Sequence, residues 1–315
     1  MTTRWLSSRF VSLLLVVWGV TVATFVLANL LPGDPVLALL GEDATPANIA
    51  LWRQKLGLDR PMAVRYFDWL ADAAQGDFGA SYRTDESVLD MILQRLPVTI
   101  EILVLTQIIA LAVAVPCGIV SAWRPGRGVD RVTMVGALGL LSTPPFLIGI
   151  LLIYLFSIQL GWLPATGFVS LDEDVLENLQ SVALPVLALA LAEIPVYLRL
   201  LREDMIRTLQ QDFIAVARAK GMPTRRILLS HALRPSSFSL ITVIGVNIGR
   251  LIGGTIIVEV LFALPGIGQL LIQSVYQQDY MVLQGIVLFV AVAFVLINAA
   301  VDGIYRMLDP RTSHG

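Results

Sequence analysis

Charge is scarce in this chain. Of its 315 residues only 15% are Asp, Glu, Lys or Arg, where soluble domains carry about 25%. Too little charge is left to cover a water-facing globule of this size, which excludes an ordinary soluble enzyme and a disordered chain. Cysteine is nearly absent: Cys117 stands alone, so neither an internal disulfide nor a cysteine-only metal cluster can form. It sits between Pro116 and Gly118, the setting of a small buried thiol. There are two histidines, His231 and His314, and two lysines, Lys55 and Lys220. Net charge is −2 and the isoelectric point about 5.7, so no basic field marks a nucleic-acid partner. What is present in excess is apolar: 56% of residues, with mean hydropathy +0.77. The class this points to is an all-α protein that crosses a lipid bilayer several times.

Six stretches reach the roughly 20 apolar residues that a spanning helix needs: 10–31, 98–122, 132–160, 182–201, 236–261 and 281–301. The third is expected to kink at Pro144-Pro145, and the fourth holds Pro185 and Pro195. The first resembles a signal peptide in its flanks, with Arg4 and Arg9 ahead and Val26-Leu27-Ala28 behind. Its apolar run exceeds the 7–15 residues usual for a signal core, so it is expected to stay as a span.

Orientation follows from the basic residues of the short loops. Fifteen of the 22 Lys and Arg lie in four segments on one side, and eight of these fall between Arg199 and Arg234. The loops 161–181 and 262–280 on the other side carry none. Both termini are therefore expected in the cytoplasm. The chain then divides into 1–31 (terminus and first span), an extracytoplasmic segment 32–96, and a five-helix core 97–315 holding a cytoplasmic segment 202–235. In the outer segment Thr45-Pro46 reads as a helix start and Gly57 as its end. A second helix is expected from Pro61, carrying Tyr66, Phe67, Trp69 and Leu70 towards one surface, followed by a loop at 76–81. Two readings stay open for this segment, a small cap or a docking surface for a soluble partner.

The cytoplasmic segment has its own punctuation. Asp212 is a good N-cap residue, and Phe213, Ile214, Val216 and Ala217 give a short helix an apolar face. Arg218 and Lys220 fall in its last turn, where cations complement the helix dipole. Gly221 can take the left-handed stop, and Pro223 is expected to open a second helix reaching about His231. Ala215, Ala217 and Ala219 are small enough for another protein to approach closely. Taken alone, this is either a compact lever or a solvated loop.

The run Asp212–Gly221, with its Ala217-Arg218-Ala219-Lys220-Gly221 string and the following His231-Ala232-Leu233-Arg234, resembles the EAA loop of ABC importer permeases. The closer likeness is to the dipeptide/oligopeptide/nickel branch. Supporting strings occur in the family's order along nearly the whole chain: Leu31-Pro32-Gly33-Asp34-Pro35, Gly76-Asp77-Phe78-Gly79, Arg95-Leu96-Pro97, Pro265-Gly266-Ile267-Gly268 and Leu308-Asp309-Pro310-Arg311. The resemblance implies a type I importer-like permease of six spans in a bacterial cytoplasmic membrane. It implies that Phe213, Ile214, Ala215, Val216, Ala217, Arg218, Ala219 and Lys220 form a coupling helix turned by Gly221. That helix would enter a groove of an ATP-binding subunit. The chain departs from the motif at Ala215 (for Glu), Val216 (for Ala) and Arg234 (for Pro), so small and apolar side chains must do more of the docking. Ala217 is accordingly expected to be a docking contact, where a bulky or charged residue uncouples transport but not insertion. The implied partners are a homologous second permease, two ATP-binding subunits, an extracytoplasmic substrate-binding protein and the lipid bilayer.

Nothing in this chain can bind ATP through a Walker loop, since Lys55 and Lys220 are followed by Leu56 and Gly221 rather than Ser or Thr. ATP and Mg are thus expected in the partner ATPase, with no cofactor, metal or catalytic residue here. Two histidines too far apart for a zinc helix, and no assembled nucleophile–base set, argue against an intramembrane enzyme. The remaining rival is a self-sufficient secondary transporter or channel, which calls for internal repeats that the halves do not display.

Within the spans lie Glu101, Glu193, Arg250 and Glu259. A charge at mid-membrane costs roughly 2.5–3.5 kcal/mol on insertion scales, so each should face protein or water. Glu193 and Arg250 are candidates for a polar translocation path or for a structural pairing. Glu101 and Glu259, nearer the outer ends, are expected to snorkel. Gly245, Gly249 and Gly253 put small residues on one face of the fifth span, either for core packing or for a seam against a partner permease. Pro265, Gly266 and Gly268 precede a helix at 269–278 too short to span; by the family resemblance they belong to an outer gate.

Overall fold

The structure, a computed structural model, describes residues 2–30 and 34–308, with the side chains of 2–14, 302 and 304–308 excepted. The Leu31-Pro32-Gly33 string, the Asp309-Pro310-Arg311 end and His314 lie outside the described residues, as do the side chains of Arg4, Arg9 and Arg306. Among the described residues the regular structure is helical, apart from one antiparallel bridge between Ala80 and Ser87. By internal packing the chain forms two compact units: 1–99 with 265–296, and 100–264 with 297–315.

The first unit contains α1 (Thr2–Leu30), α2 (Pro35–Leu40), α3 (Pro46–Lys55), α4 (Met62–Ala74), the start of α5 (Val88–Trp123), α12 (Ile267–Tyr276) and the first part of α13 (Tyr280–Leu308). The helix starts in 34–75 follow the local signals. Thr45 accepts from the Asn48 amide with Pro46 in the first turn, and Gly57 takes φ +65° after α3. In α4, Tyr66, Trp69 and Ala73 are buried against Phe25 of α1 and Leu288 of α13. The Phe25 and Tyr66 rings meet edge-on at 5.3 Å, and the Tyr66 hydroxyl bonds Thr21 Oγ1 at 2.9 Å. Phe67 departs from the expectation. It is 63% exposed, because a 3.6-residue period turns the neighbour of Tyr66 off the packed stripe. A second cluster joins Val88 and Ile92 to Ile267, Leu270, Val282 and Ile286. Gly285 lets the helices close here, since a Cβ would meet Val88 Cγ1 at 2.5 Å.

The second unit is built on α8 (Val175–Leu209), the most buried of the long helices. Around it pack the rest of α5, α6 (Gly128–Leu141), α7 (Pro145–Leu152), and α11 (Leu233–Leu261). Ala110, Ala114, Gly118 and Ala122 recur every fourth residue on α5 and line the core beside Leu198 and Leu201. Small residues at that spacing let two helix backbones approach. Pro185 and Pro195 stay inside an unbroken α8; packed neighbours on every side hold its course where an isolated helix would bend.

Val88–Trp123, Val175–Leu209, Thr224–Leu261 and Tyr280–Val301 are unbroken helices long and apolar enough to cross a bilayer. Among the described residues, up to six crossings result when each of two bent pairs, Leu15–Leu30 with Pro35–Asp43 and Gly128–Leu141 with Pro145–Gln159, counts as one. The expected kink at Pro144-Pro145 is in fact a break, with α6 and α7 meeting at 101°. Neither proline has an N–H to continue the ladder, and Pro144 is extended at ψ 143°. α7 then runs on as wide π-helical turns over Ile153–Gln159.

Candidate functional site

The basic segment folds as helix, turn and continuing helix. α9 spans Asp212–Ala219, Lys220 caps it and Gly221 takes φ +72°, as its position demanded. The N-cap differs from expectation: Gln211 holds that place, and Asp212 is the first helical residue, with its carboxylate at the positive end of the dipole. The second helix differs more. It does not stop near His231 but runs from α10 (Thr224–Arg226) through π-helical turns at Ile227–Ala232 directly into α11. The widened turns lie just ahead of Pro235, whose ring would otherwise clash with the His231 carbonyl.

α9 is two-faced. Ile214 and Ala217 are buried against Ile227, Leu209 and Met222. Phe213 and Val216 are about half exposed, and Ala215, Arg218, Ala219 and Lys220 also face outward. The Arg218 guanidinium lies over the Trp123 ring at 5.9 Å, tying α9 to the end of α5. Ala217 is therefore a bracing residue and not an outward contact, contrary to the sequence expectation; a bulky residue there would lift α9 from its seat.

The same region holds an ion pair that sequence reasoning did not find. Arg202 on α8 grips Asp130 at the start of α6 with both arms, Nε to Oδ1 at 2.5 Å and a terminal nitrogen to Oδ2 at 2.8 Å. The Gly126 amide adds a third bond at 2.6 Å, and Asp130 is buried. Asp130 lies in the first turn of α6, and only the packing of α6 on α8 gives it a partner.

Glu193 and Arg250 are brought together. An Arg250 terminal nitrogen donates to Glu193 Oε1 at 2.8 Å, and Asn247 Nδ2 donates to Oε2 at 2.9 Å. Asn247 and Arg250 are three residues apart on α11, so they present to the same side. Glu193 is buried, while 62% of the Arg250 side chain is open. Beside the pair is a cavity of about 430 Å³, lined also by Ser142, Thr143 and the two prolines of the α6–α7 break. Glu101 is half-buried, whereas Glu259 is wholly buried and does not snorkel; packing of α11 turns it inward. Gly245 lies so close to Val301 that a Cβ would meet its methyls at 2.3–2.4 Å, whereas Gly253 and Gly254 face open space. The glycine face is thus divided between internal packing and an uncovered part.

In the first unit, Gly266 and Gly268 flank the start of α12, where the Ile267 amide donates to Thr99 Oγ1 at 2.9 Å. Pro265 leads into this turn, and Ile267, Gly268 and Leu270 are buried. Past α12, the buried Asp279 carboxylate accepts from Ser81 Oγ at 2.5 Å and from the Tyr82 amide at 3.3 Å. Burial pushes the Tyr82 hydroxyl up to about 12.

Residues 114–314 match the family described as binding-protein-dependent transport system inner membrane component, and residues 2–103 match the N-terminal region of such membrane components. The chain belongs to this permease family. Similar proteins include a probable peptide ABC transporter permease of Sinorhizobium fredii, 38% identical over 96% of this chain and 97% of that one. The dipeptide permease DppB of Alkalihalophilus pseudofirmus is 34% identical (97% and 98% covered), and the glutathione permease GsiC of Escherichia coli is 36% identical (96% of each). Among solved structures, the inward-facing MetNI methionine ABC transporter superposes with a TM-score of 0.56 at 16% identity, covering 70% of this chain and 96% of that one. This permease is thus a multi-pass inner-membrane protein with the all-α type I importer fold, and the secondary-transporter reading gives way.

Proposed function

We propose that the chain is one half of the translocation pore of an ATP-driven importer of dipeptides, oligopeptides or similar small solutes. A second, homologous permease completes the pore, two ATP-binding subunits supply hydrolysis, and an extracytoplasmic binding protein delivers the substrate. Relatives named for peptide transport, covering nearly the full chain, support the substrate class. The observation that carries the mechanism is the two-faced α9: its inner face is seated on Leu209 at the end of α8, Met222 in the turn and Ile227 at the junction of α10 and α11, and its outer face is left largely apolar and open. Because α10 and α11 form one helix from Thr224 to Leu261, a push on α9 is delivered to the full length of a span rather than absorbed by a loop. Phe213, Val216 and the small Ala215 and Ala219 are the contacts for the ATPase groove, with Arg218 and Lys220 at the rim. The basic clustering supports a cytoplasmic position for α9 and both termini, and in this reading Pro265–Gly268 with α12 belong to the outer mouth.

The test is substitution of the outer face. Phe213→Asp and Val216→Asp, in the assembled transporter in proteoliposomes, are expected to lower ATP-driven uptake at least about tenfold, the equivalent of ~1.4 kcal/mol at the contact. The chain should still insert and pair with the second permease. Uptake that persists at the wild-type rate in both variants would remove α9 from the docking role.

A further inference from the structure

The cavity beside Glu193 and Arg250 has a chemical bias that its size alone does not reveal. Its walls are largely apolar, formed by Leu140, Pro144, Pro145, Leu189, Val196 and Leu251. Its hydroxyl protons, the donors a carboxylate would seek, are already committed: Ser142 Oγ donates to the Leu138 carbonyl and Thr143 Oγ1 to the Gly139 carbonyl, both at 2.9 Å. The backbone there offers little, since the Ser142 and Thr143 amides bond Leu138 and Leu140, and Pro144 and Pro145 have no amide hydrogen. Glu193 is buried, with one carboxylate oxygen held by Asn247 and the other by Arg250. A passing ammonium group therefore meets no open carboxylate in this wall. Of the charged groups lining the cavity, Arg250 is the one that remains open: among the described residues its guanidinium, with five donors, bonds Glu193 through one terminal nitrogen.

We propose that Arg250 reads a carboxylate of the solute as it passes, so that the importer favours solutes with a free carboxylate, such as the C-terminus of a peptide, over neutral ones. The inference rests on the pore reading above and adds the substrate's chemical class to it. A guanidinium matches a carboxylate in plane and in donor spacing, and in an apolar wall such a bond is stronger than in water. Glu193 keeps the local charge near neutral, so the carboxylate is recognised but not trapped, as a conducting path requires.

The experiment uses the whole transporter with its binding protein in proteoliposomes, and trialanine with a free C-terminus as the probe. Arg250→Gln and the charge-balanced Glu193→Gln/Arg250→Gln double variant are both expected to take up trialanine about tenfold more slowly or worse, in line with the loss of one charge-assisted bond. Arg250→Lys, which keeps the charge but loses the planar fork, should take up trialanine at a rate between wild type and Arg250→Gln. Trialanine amide should lose little in either Gln variant relative to its own wild-type rate. If the double variant restores trialanine uptake, Arg250 serves only to balance Glu193 and the proposal is overturned. If either Gln variant purifies without the second permease, Arg250 is an interface residue and the proposal is likewise overturned. A wild-type complex that takes up no peptide at all would instead overturn the pore reading, and the carboxylate inference with it.

Discussion

Two carboxylate–arginine pairs stand on α8 and do opposite things. Asp130 and Arg202 form a closed pair: two direct bonds, a third from the Gly126 amide, and only 19% of the arginine side chain exposed. Glu193 and Arg250 form an open pair: one direct bond, the carboxylate buried, and 62% of the arginine side chain accessible beside a cavity. The chemistry is the same, and the difference lies in how many of the arginine's donors the fold has already used. A closed pair holds helices in register, whereas an open one leaves donors for something else. The closed pair also lies in the region that braces α9, where Arg218 crosses Trp123.

The comparison can be broken most forcefully at Asp130. Asp130→Ala leaves Arg202 half-buried without its partner, and removal of one member of a buried pair costs roughly 3 kcal/mol. The detergent-solubilised protein should unfold several degrees lower; an unchanged unfolding temperature would show that the latch is not a structural element. A smaller change sharpens the contrast. Arg202→Lys keeps the charge but loses the fork, and should cost about 1 kcal/mol in the same thermal assay, since a point charge cannot bond both carboxylate oxygens in plane. The same exchange is thus expected to lower stability at the closed pair, while at the open pair Arg250→Lys lowers trialanine uptake part of the way towards Arg250→Gln. The smallest effect belongs to Trp123→Leu. Losing a part-exposed cation–π contact removes about 0.5 kcal/mol, seen as faster proteolysis at the α9 turn rather than as a change in unfolding temperature.

Much of the lever was readable because its signals are local. Gly221 is followed by a proline two residues on, and a turn of that kind is decided by backbone sterics within a few residues. The helix beyond it is not legible in the sequence, for an equally physical reason. His231 and Pro235 look like a stop, yet π-helical turns over Ile227–Ala232 absorb the proline and the helix continues. Widening a helix is a small adjustment that packing against α8 can stabilise, and no single residue announces it. The inward turn of Ala217 was likewise hidden. Alanine suits a docking face and a packed face equally, and only Leu209, Met222 in the turn and Ile227 on the returning helix decide between them. The stripe Ala110, Ala114, Gly118 and Ala122 is present in the spacing but not distinctive there, because small residues in an apolar helix carry little contrast until a partner helix faces them.

By itself the sequence determined the solvent, the helical spans and the family. Apolar runs of sufficient length have few other stable outcomes, and the string of short motifs runs in one order along the chain. It also placed the ionisable residues that matter, Glu193 and Arg250, within those spans. Only the tertiary structure decided which of them is buried and which is open, that Asp130 has a partner 72 residues away, and which side of α9 looks outward. Those properties depend on the packing of helices distant in the chain. A residue's type limits the bonds it can make, but its neighbours in space determine which of those bonds remain available.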